Sequence, residues 1–159
     1  MVRNITANDF DFIYGLYMNP ATNPYLLYEL MDREAFMPIF NDLLKQNIIF
    51  IYADAGQNIG MFKLIPFHHR TKHINYIGGL AIHPDFTGKG FGSKMMTEII
   101  DLGKQRGLKR LELSTATFNT KAIKLYEKHG FVFEGVMKNY TYIQAEERFI
   151  DEQLMAYLY

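Results

Sequence analysis

The sequence predicts an α/β protein of the α+β type, a sheet of about seven strands flanked by about four helices in a single domain spanning residues 1–159. Three observations predict it. Stretches of period-2 and period-3.6 hydrophobicity follow one another as strand, two helices, three strands, helix, strand, helix, two strands. The turn cluster Asp54-Ala55-Gly56-Gln57-Asn58 joins two β-rich runs as a hairpin. A chain of 159 residues, 48% apolar and 21% charged, is long enough to bury one core and too short for two ordinary domains.

Each element has its own warrant. Val2 to Ile5 reads as a short strand, and Phe10, Ile13, Tyr14 and Tyr17 recur at helical spacing from about Asn8 until Asn19-Pro20. Asn23 to Tyr28 is irregular and rich in apolar and aromatic residues. From Asp32, the residues Phe36, Phe40, Leu43 and Leu44 form a second helical face, in which Pro38 removes one hydrogen bond and favours a kink. Ile48 to Ala53, Ile59 to Ile65 and Asn75 to Ile82 are strands, the last two separated by the loop Pro66 to His73. A helix from about Ser93 to Arg106 carries Met95, Met96, Ile99 and Ile100 on one face and stops at Gly107. Lys109 to Thr115 alternates as a strand; Asn119 caps a helix carrying Ala122, Ile123 and Tyr126 that ends at Gly130. Phe131 to Phe133 and Phe149 to Tyr157 are the last strands, joined by a polar loop from Lys138 to Arg148.

Composition excludes several functions. Lys+Arg and Asp+Glu are both 17, so there is no chain-wide footprint for nucleic acid or an anionic membrane. Cysteine is absent, which removes disulfides, thiolate metal sites and acyl-cysteine chemistry. The start lacks the pattern of a signal peptide, and no apolar run approaches the ~20 residues that cross a bilayer, so a cytoplasmic protein is expected. His68, His69 and His73 share a loop, but with no paired carboxylate pattern and no Cys they read as a solvated hairpin tip, and no metal is expected.

The segment richest in chemistry is Thr87-Gly88-Lys89-Gly90-Phe91-Gly92-Ser93, between a strand and a helix. Glycines there permit positive φ and close approach of the backbone to a ligand, and the following helix turn offers N–H groups at the positive end of its dipole. Phosphate or pyrophosphate suits such a turn; a purely structural turn is the plainer alternative. Asp85 to His129 holds nine Lys/Arg against five Asp/Glu, a basic segment inside a neutral chain. The P-loop pattern fails because Gly88-Lys89 is followed by Gly90, and the dinucleotide fingerprint from Gly88 fails at Ser93.

Ile82-His83-Pro84-Asp85-Phe86-Thr87-Gly88-Lys89-Gly90-Phe91-Gly92, followed about thirty residues later by Asn119-Thr120-Lys121-Ala122-Ile123-Lys124-Leu125-Tyr126-Glu127-Lys128-His129-Gly130-Phe131, resembles the paired signature of the GNAT superfamily of acyl-CoA-dependent N-acetyltransferases. The order of elements is also that family's. The resemblance implies the GNAT fold, with a mixed, mostly antiparallel central sheet, and acetyl-CoA as acyl donor. The family pattern is Arg or Gln, two residues, Gly, one residue, then Gly or Ala; Gly90 and Gly92 match, and Thr87 departs from Arg/Gln. Carried over, the backbone of Thr87, Gly88, Lys89, Gly90, Phe91, Gly92 and Ser93 holds the CoA pyrophosphate. Leu80, Ala81 and Ile82 offer backbone partners to the pantetheine arm. Asn119, with Ala122 in the helix after it, meets the cofactor near its reactive end, and Tyr126 occupies the place of the usual general acid. Homodimerisation is also plausible for this family.

A tyrosine suits that chemistry. A neutral amine attacks the thioester carbonyl, an oxyanion forms, and the departing thiolate benefits from a donor that is protonated at neutral pH, as Tyr with its reference pKa of ~10 is. No covalent enzyme intermediate is needed, in keeping with a chain without Cys. The bland alternative makes Tyr126 one more aromatic on a buried helix face. Tyr76 to Ala81 carries no acidic residue to serve as base. Glu112, Glu29, Asp32 and His83 are the remaining candidates, and none is assigned.

Acceptor choice is expected to lie with Tyr25, Leu26, Leu27 and Tyr28 and with the loop Lys138 to Arg148. The ending Arg148-Phe149-Ile150-Asp151-Glu152-Gln153-Leu154-Met155 is similar to the last strand of relatives that acetylate small amines, free amino acids among them. The expected function is transfer of an acetyl group from acetyl-CoA to a primary amine of a small molecule, including an amino acid, in a ternary complex. The alternatives are acetylation of a peptide N-terminus or lysine, and a non-catalytic acyl-CoA-binding module.

Overall fold

A computed structural model describes residues 1–159. Seven strands and four α-helices appear in the predicted order. They are β1 (Val2–Asn4), α1 (Phe10–Tyr17), α2 (Arg33–Gln46), β2 (Ile49–Asp54), β3 (Gln57–Pro66), β4 (Ile74–Ile82), α3 (Phe91–Gln105), β5 (Arg110–Ala116), α4 (Thr120–Lys128), β6 (Val132–Ile143) and β7 (Arg148–Leu158). The sheet runs β1-β2-β3-β4-β5-β7-β6. β4 and β5 are parallel, pairing Ile74–Tyr76 with Arg110–Glu112; β1·β2, β2·β3, β5·β7 and β6·β7 are antiparallel. The chain divides into two units, one of residues 1–65 and 78–95, the other of residues 66–77 and 96–159.

In the first unit, α1 and α2 lay their apolar faces on β2 and β3. Ile13, Leu16, Tyr17, Phe36, Ile49 and Met61 are wholly buried in that core. Phe10 meets Phe40 edge-on at 5.2 Å, a preferred aromatic geometry. The chain enters α1 through a capping box in which the Thr6 N–H donates to Asp9 Oδ2 (2.7 Å), and Arg3 grips the same carboxylate through both of its terminal nitrogens at 2.8 Å. Asp32 caps α2 by accepting from the Ala35 N–H. α2 continues through Pro38 to Gln46, with the Glu34 carbonyl denied its usual i+4 donor. The β2–β3 hairpin turns on two residues, Ala55 (φ 47°) and Gly56 (φ 79°), a tighter turn than the five-residue cluster in the sequence indicates. Successive positive φ values match the right-handed strand twist.

In the second unit, β5 alternates buried Leu111, Leu113 and Thr115 with partly exposed neighbours. It pairs along its whole length with β7. Two expectations need correction. The helix expected from Ser93 begins at Phe91, so Gly92 lies inside its first turn. The expected loop Lys138 to Arg148 is mostly strand, because β6 extends to Ile143 and the reversal is confined to residues 144–147. The polar letters misled: Lys138, Asn139 and Tyr140 bulge opposite Asp151, Asn139 at φ 50°, with the Asn139 N–H and the Lys138 ammonium both donating to Asp151 at 2.9 Å. Beyond it Thr141, Tyr142 and Ile143 pair again with β7. No helix is long and apolar enough to cross a membrane.

Candidate functional site

The glycine turn of the first unit is built as the sequence indicates. Gly88 (φ 79°) and Gly90 (φ 81°) adopt the left-handed conformation, and a Cβ on either would meet nothing within 4 Å, so conformation rather than crowding calls for glycine. The turn is tied down on both sides. The His83 N–H donates to the Ile59 carbonyl at 2.8 Å, the Thr87 N–H to the Pro84 carbonyl at 3.1 Å, and the Lys89 ammonium to the Asp85 carbonyl at 2.8 Å. The Lys94 N–H bonds the Gly90 carbonyl at 3.2 Å, leaving the Phe91 and Gly92 N–H groups ahead of it at the positive end of α3. An anion would therefore meet backbone donors, and Thr87, whose hydroxyl turns back to the His83 carbonyl at 3.5 Å, is not needed to supply them. Lys89 and Lys94 lie over the rings of Phe86 and Phe91 at 5.7 and 5.0 Å, adding positive charge beside the turn.

Leu80, Ala81 and Ile82 close β4 in the same unit, and Ala81 is buried. Gly60 explains the local closeness of the chains: a Cβ there would lie 2.5 Å from the Ala81 carbonyl oxygen. Gly79, just before Leu80, is held at φ 55°, a break in β geometry that only glycine tolerates well.

Tyr126 and Asn119 belong to the second unit. Asn119 caps α4: its carboxamide oxygen accepts from the Ala122 N–H at 3.3 Å and its nitrogen donates to the Thr115 hydroxyl at 3.1 Å. About two turns beyond the cap, Tyr126 is 7% exposed and packs against Phe131 at 6.1 Å. Its hydroxyl has no hydrogen-bond partner in the protein. Burial pushes the Tyr126 phenol well above the ordinary tyrosine range, and the fields of Tyr76 and Glu152 add to that. The ring is thus kept protonated as a donor.

Sequence reasoning missed the group around it. The Tyr76 hydroxyl on β4 meets the Ser114 hydroxyl on β5 at 2.7 Å; Ser114 donates to Glu152 on β7, whose other oxygen accepts from Thr141 on β6 at 2.7 Å. Four strands thus meet at one carboxylate held by hydroxyls, without a cation. The signal available was Glu152 itself, next to Asp151 in the last strand, but only strand pairing shows what faces it.

Three of the candidates for a base, Glu112, Asp32 and His83, are engaged elsewhere. Glu112 accepts from Arg110 at 2.8 Å, and Arg110 also reaches Glu134. Asp32 is the α2 cap; His83 accepts from the Asp85 N–H and stacks on Phe12 at 6.2 Å. No group of three or more His, Asp or Glu side chains is arranged to hold a metal ion.

Comparison with known proteins bears on these elements. A model described as the acetyltransferase (GNAT) family matches residues 10–131. A Vibrio cholerae protein named spermidine N(1)-acetyltransferase is 31% identical over 84% of this chain and 79% of its own length. A Bacillus subtilis protein whose name is "Putative (ribosomal protein bS18)-alanine N-acetyltransferase" is 26% identical over 94% of this chain and 91% of its own. The crystal structure of spermidine N-acetyltransferase from Vibrio cholerae in complex with CoA and spermine superposes with a TM-score of 0.86 at 26% identity, covering 99% of this chain and 94% of that one.

Proposed function

This chain belongs to the acetyltransferase (GNAT) family, and on that premise we propose that it transfers the acetyl group of acetyl-CoA to a primary amine of a small molecule. The observation that carries the reading is that one chain holds both a glycine turn presenting backbone donors and a buried, unengaged tyrosine. Gly88 and Gly90 at positive φ present backbone donors at the start of α3, and Tyr126 keeps its proton. Acetyl-CoA supplies the activated acetyl thioester. In this reading the N–H groups of Phe91 and Gly92 bind the pyrophosphate, with Lys89 and Lys94 lending charge, and the backbone of Leu80, Ala81 and Ile82 aligns the pantetheine arm. Asn119 shapes the end of that path with Ala122. As the new C–N bond forms and the C–S bond breaks, Tyr126 gives its hydroxyl proton to the departing sulfur and is reprotonated by the proton the amine releases. The match of residues 10–131 to the family supports this reading along most of the chain.

Acetylation of a protein α-amino group is the second reading, and the Bacillus subtilis relative with an alanine N-acetyltransferase name favours it. The first test is thermal unfolding with and without acetyl-CoA, with ATP and NAD as controls. A ligand at a hundred times its Kd stabilises by about 2.7 kcal/mol, and each kcal/mol moves a chain of this size by about 2–4 °C. A shift of roughly 5–11 °C with acetyl-CoA alone is expected; no shift refutes the donor site.

A further inference from the structure

Lys63 lies in the middle of β3, is 5% exposed, and has no carboxylate partner. Its ammonium sits over the rings of Tyr28 and Tyr17, 5.0 and 5.6 Å from their centroids, and donates to the Tyr28 hydroxyl at 3.3 Å. That accounts for one of its three protons. The Tyr17 hydroxyl beside it is completely buried and has no hydrogen-bond partner. The carboxylate whose field reaches this corner, Asp42 on α2, acts on Tyr28 and is itself bonded by the Gln46 amide. A buried cation without a counter-ion and a buried hydroxyl without an acceptor are each costly, and here they adjoin.

The corner is built, not incidental. Asn23 donates through its side chain to the Tyr17 and Tyr28 carbonyls at 2.7 and 2.8 Å, which locks the irregular segment after α1 so that the two rings meet at 5.0 Å. It also lies against the strand assigned to the acyl donor. A Cβ on Gly79 would be 3.0 Å from the Tyr17 hydroxyl and 3.4 Å from Lys63 Cγ, and Leu80 follows directly. Burial lowers the Lys63 pKa to about 8, so at neutral pH the side chain remains mostly a cation.

We propose that the Lys63 ammonium and the hydroxyls of Tyr17 and Tyr28 receive a carboxylate of the acceptor, so that the acceptor is a free amino acid rather than a polyamine or a peptide N-terminus. The inference rests on the acetyltransferase reading. The unsatisfied groups are all donors and one carries positive charge; an anion completes them, whereas the second ammonium of a polyamine would be repelled. A peptide N-terminus offers an amide where the carboxylate is needed, and amides do not neutralise a buried lysine.

The test uses the full chain with saturating acetyl-CoA and measures kcat/KM for the free amino acids, the corresponding amino-acid amides, alanyl dipeptides and spermidine. At least one amino acid is expected to exceed its own amide by tenfold or more. Lys63→Met, which keeps length and apolar packing, should bring that ratio close to one while the thermal shift with acetyl-CoA is retained. Should Lys63→Met fail to fold, Tyr17→Phe removes only the hydroxyl and should lower the same ratio at least threefold. Equal or better use of amides, dipeptides or spermidine overturns the inference, as does a ratio that survives both substitutions. A chain that binds acetyl-CoA and acetylates none of these also overturns it, whereas absence of acetyl-CoA binding overturns the underlying reading instead.

Discussion

Tyr126→Phe separates chemistry from packing. The substitution deletes one oxygen from a ring that is 7% exposed and retains its contact with Phe131. Because the hydroxyl has no partner in the protein, its loss leaves no donor or acceptor stranded, and stability should change by less than about 1 kcal/mol. Acetyl-CoA affinity should change less than twofold, since the proposed function draws the pyrophosphate donors from the backbone of the glycine turn and not from Tyr126. The rate should suffer far more: general acid assistance is worth about 10²–10⁴-fold, or roughly 3–5 kcal/mol of barrier. The assay is CoA thiol release with a colorimetric thiol reagent, and the protein contributes no background because it has no cysteine. Burial raises the Tyr126 phenol above 10 and disfavours only its deprotonated form, so the wild-type kcat should not decline on the alkaline side below about pH 10. A fall in kcat of less than threefold, or a parallel loss of acetyl-CoA binding, refutes the acid role and makes Tyr126 a packing residue.

Other consequences concern stability. The Arg3 guanidinium, helped by the Thr6 N–H and hydroxyl, lowers the Asp9 pKa from 3.8 to about 2. A lowered folded-state value means stabilisation present above the unfolded pKa and lost as pH falls through about 2. Discounted for an Arg3 side chain that is 39% exposed, Asp9→Asn should cost about 1 kcal/mol at pH 6, a Tm loss of roughly 2–4 °C, and the gap to wild type should close near pH 2; an unchanged gap there speaks against the ion pair. Two glycines should respond with opposite sign to the same change. A Cβ on Gly103 would lie 2.0 Å from the Tyr159 hydroxyl, which donates to the Ile100 carbonyl, so Gly103→Ala should cost about 1–2 kcal/mol in urea unfolding. Gly15 in α1 has nothing within 4 Å of that position, and Gly15→Ala should gain about 0.5–1 kcal/mol; equal signs would show that the space around them has been misread.

Local signals sufficed for much of this protein. Apolar periodicity placed all four helices and seven strands, because a face that must be buried writes its period into the letters. The glycine turn, the Asn119 cap and the position of Tyr126 were legible for the same reason: each depends on residues within one turn of itself. What failed was local chemistry read too literally, as with Lys138 to Ile143, whose polar residues serve a bulge against Asp151 and not a loop. The groups that only tertiary structure could assemble are Tyr76, Ser114, Thr141 and Glu152 around Tyr126, and Lys63 with Tyr17 and Tyr28. Each set draws on separate strands or helices, and which side chain faces which is decided by strand register, where a shift of one residue turns every side chain to the other face. Burial, which raises the proton affinity of Tyr126 and lowers that of Lys63, likewise belongs to the packed chain, since it depends on how much water the whole fold excludes from each group.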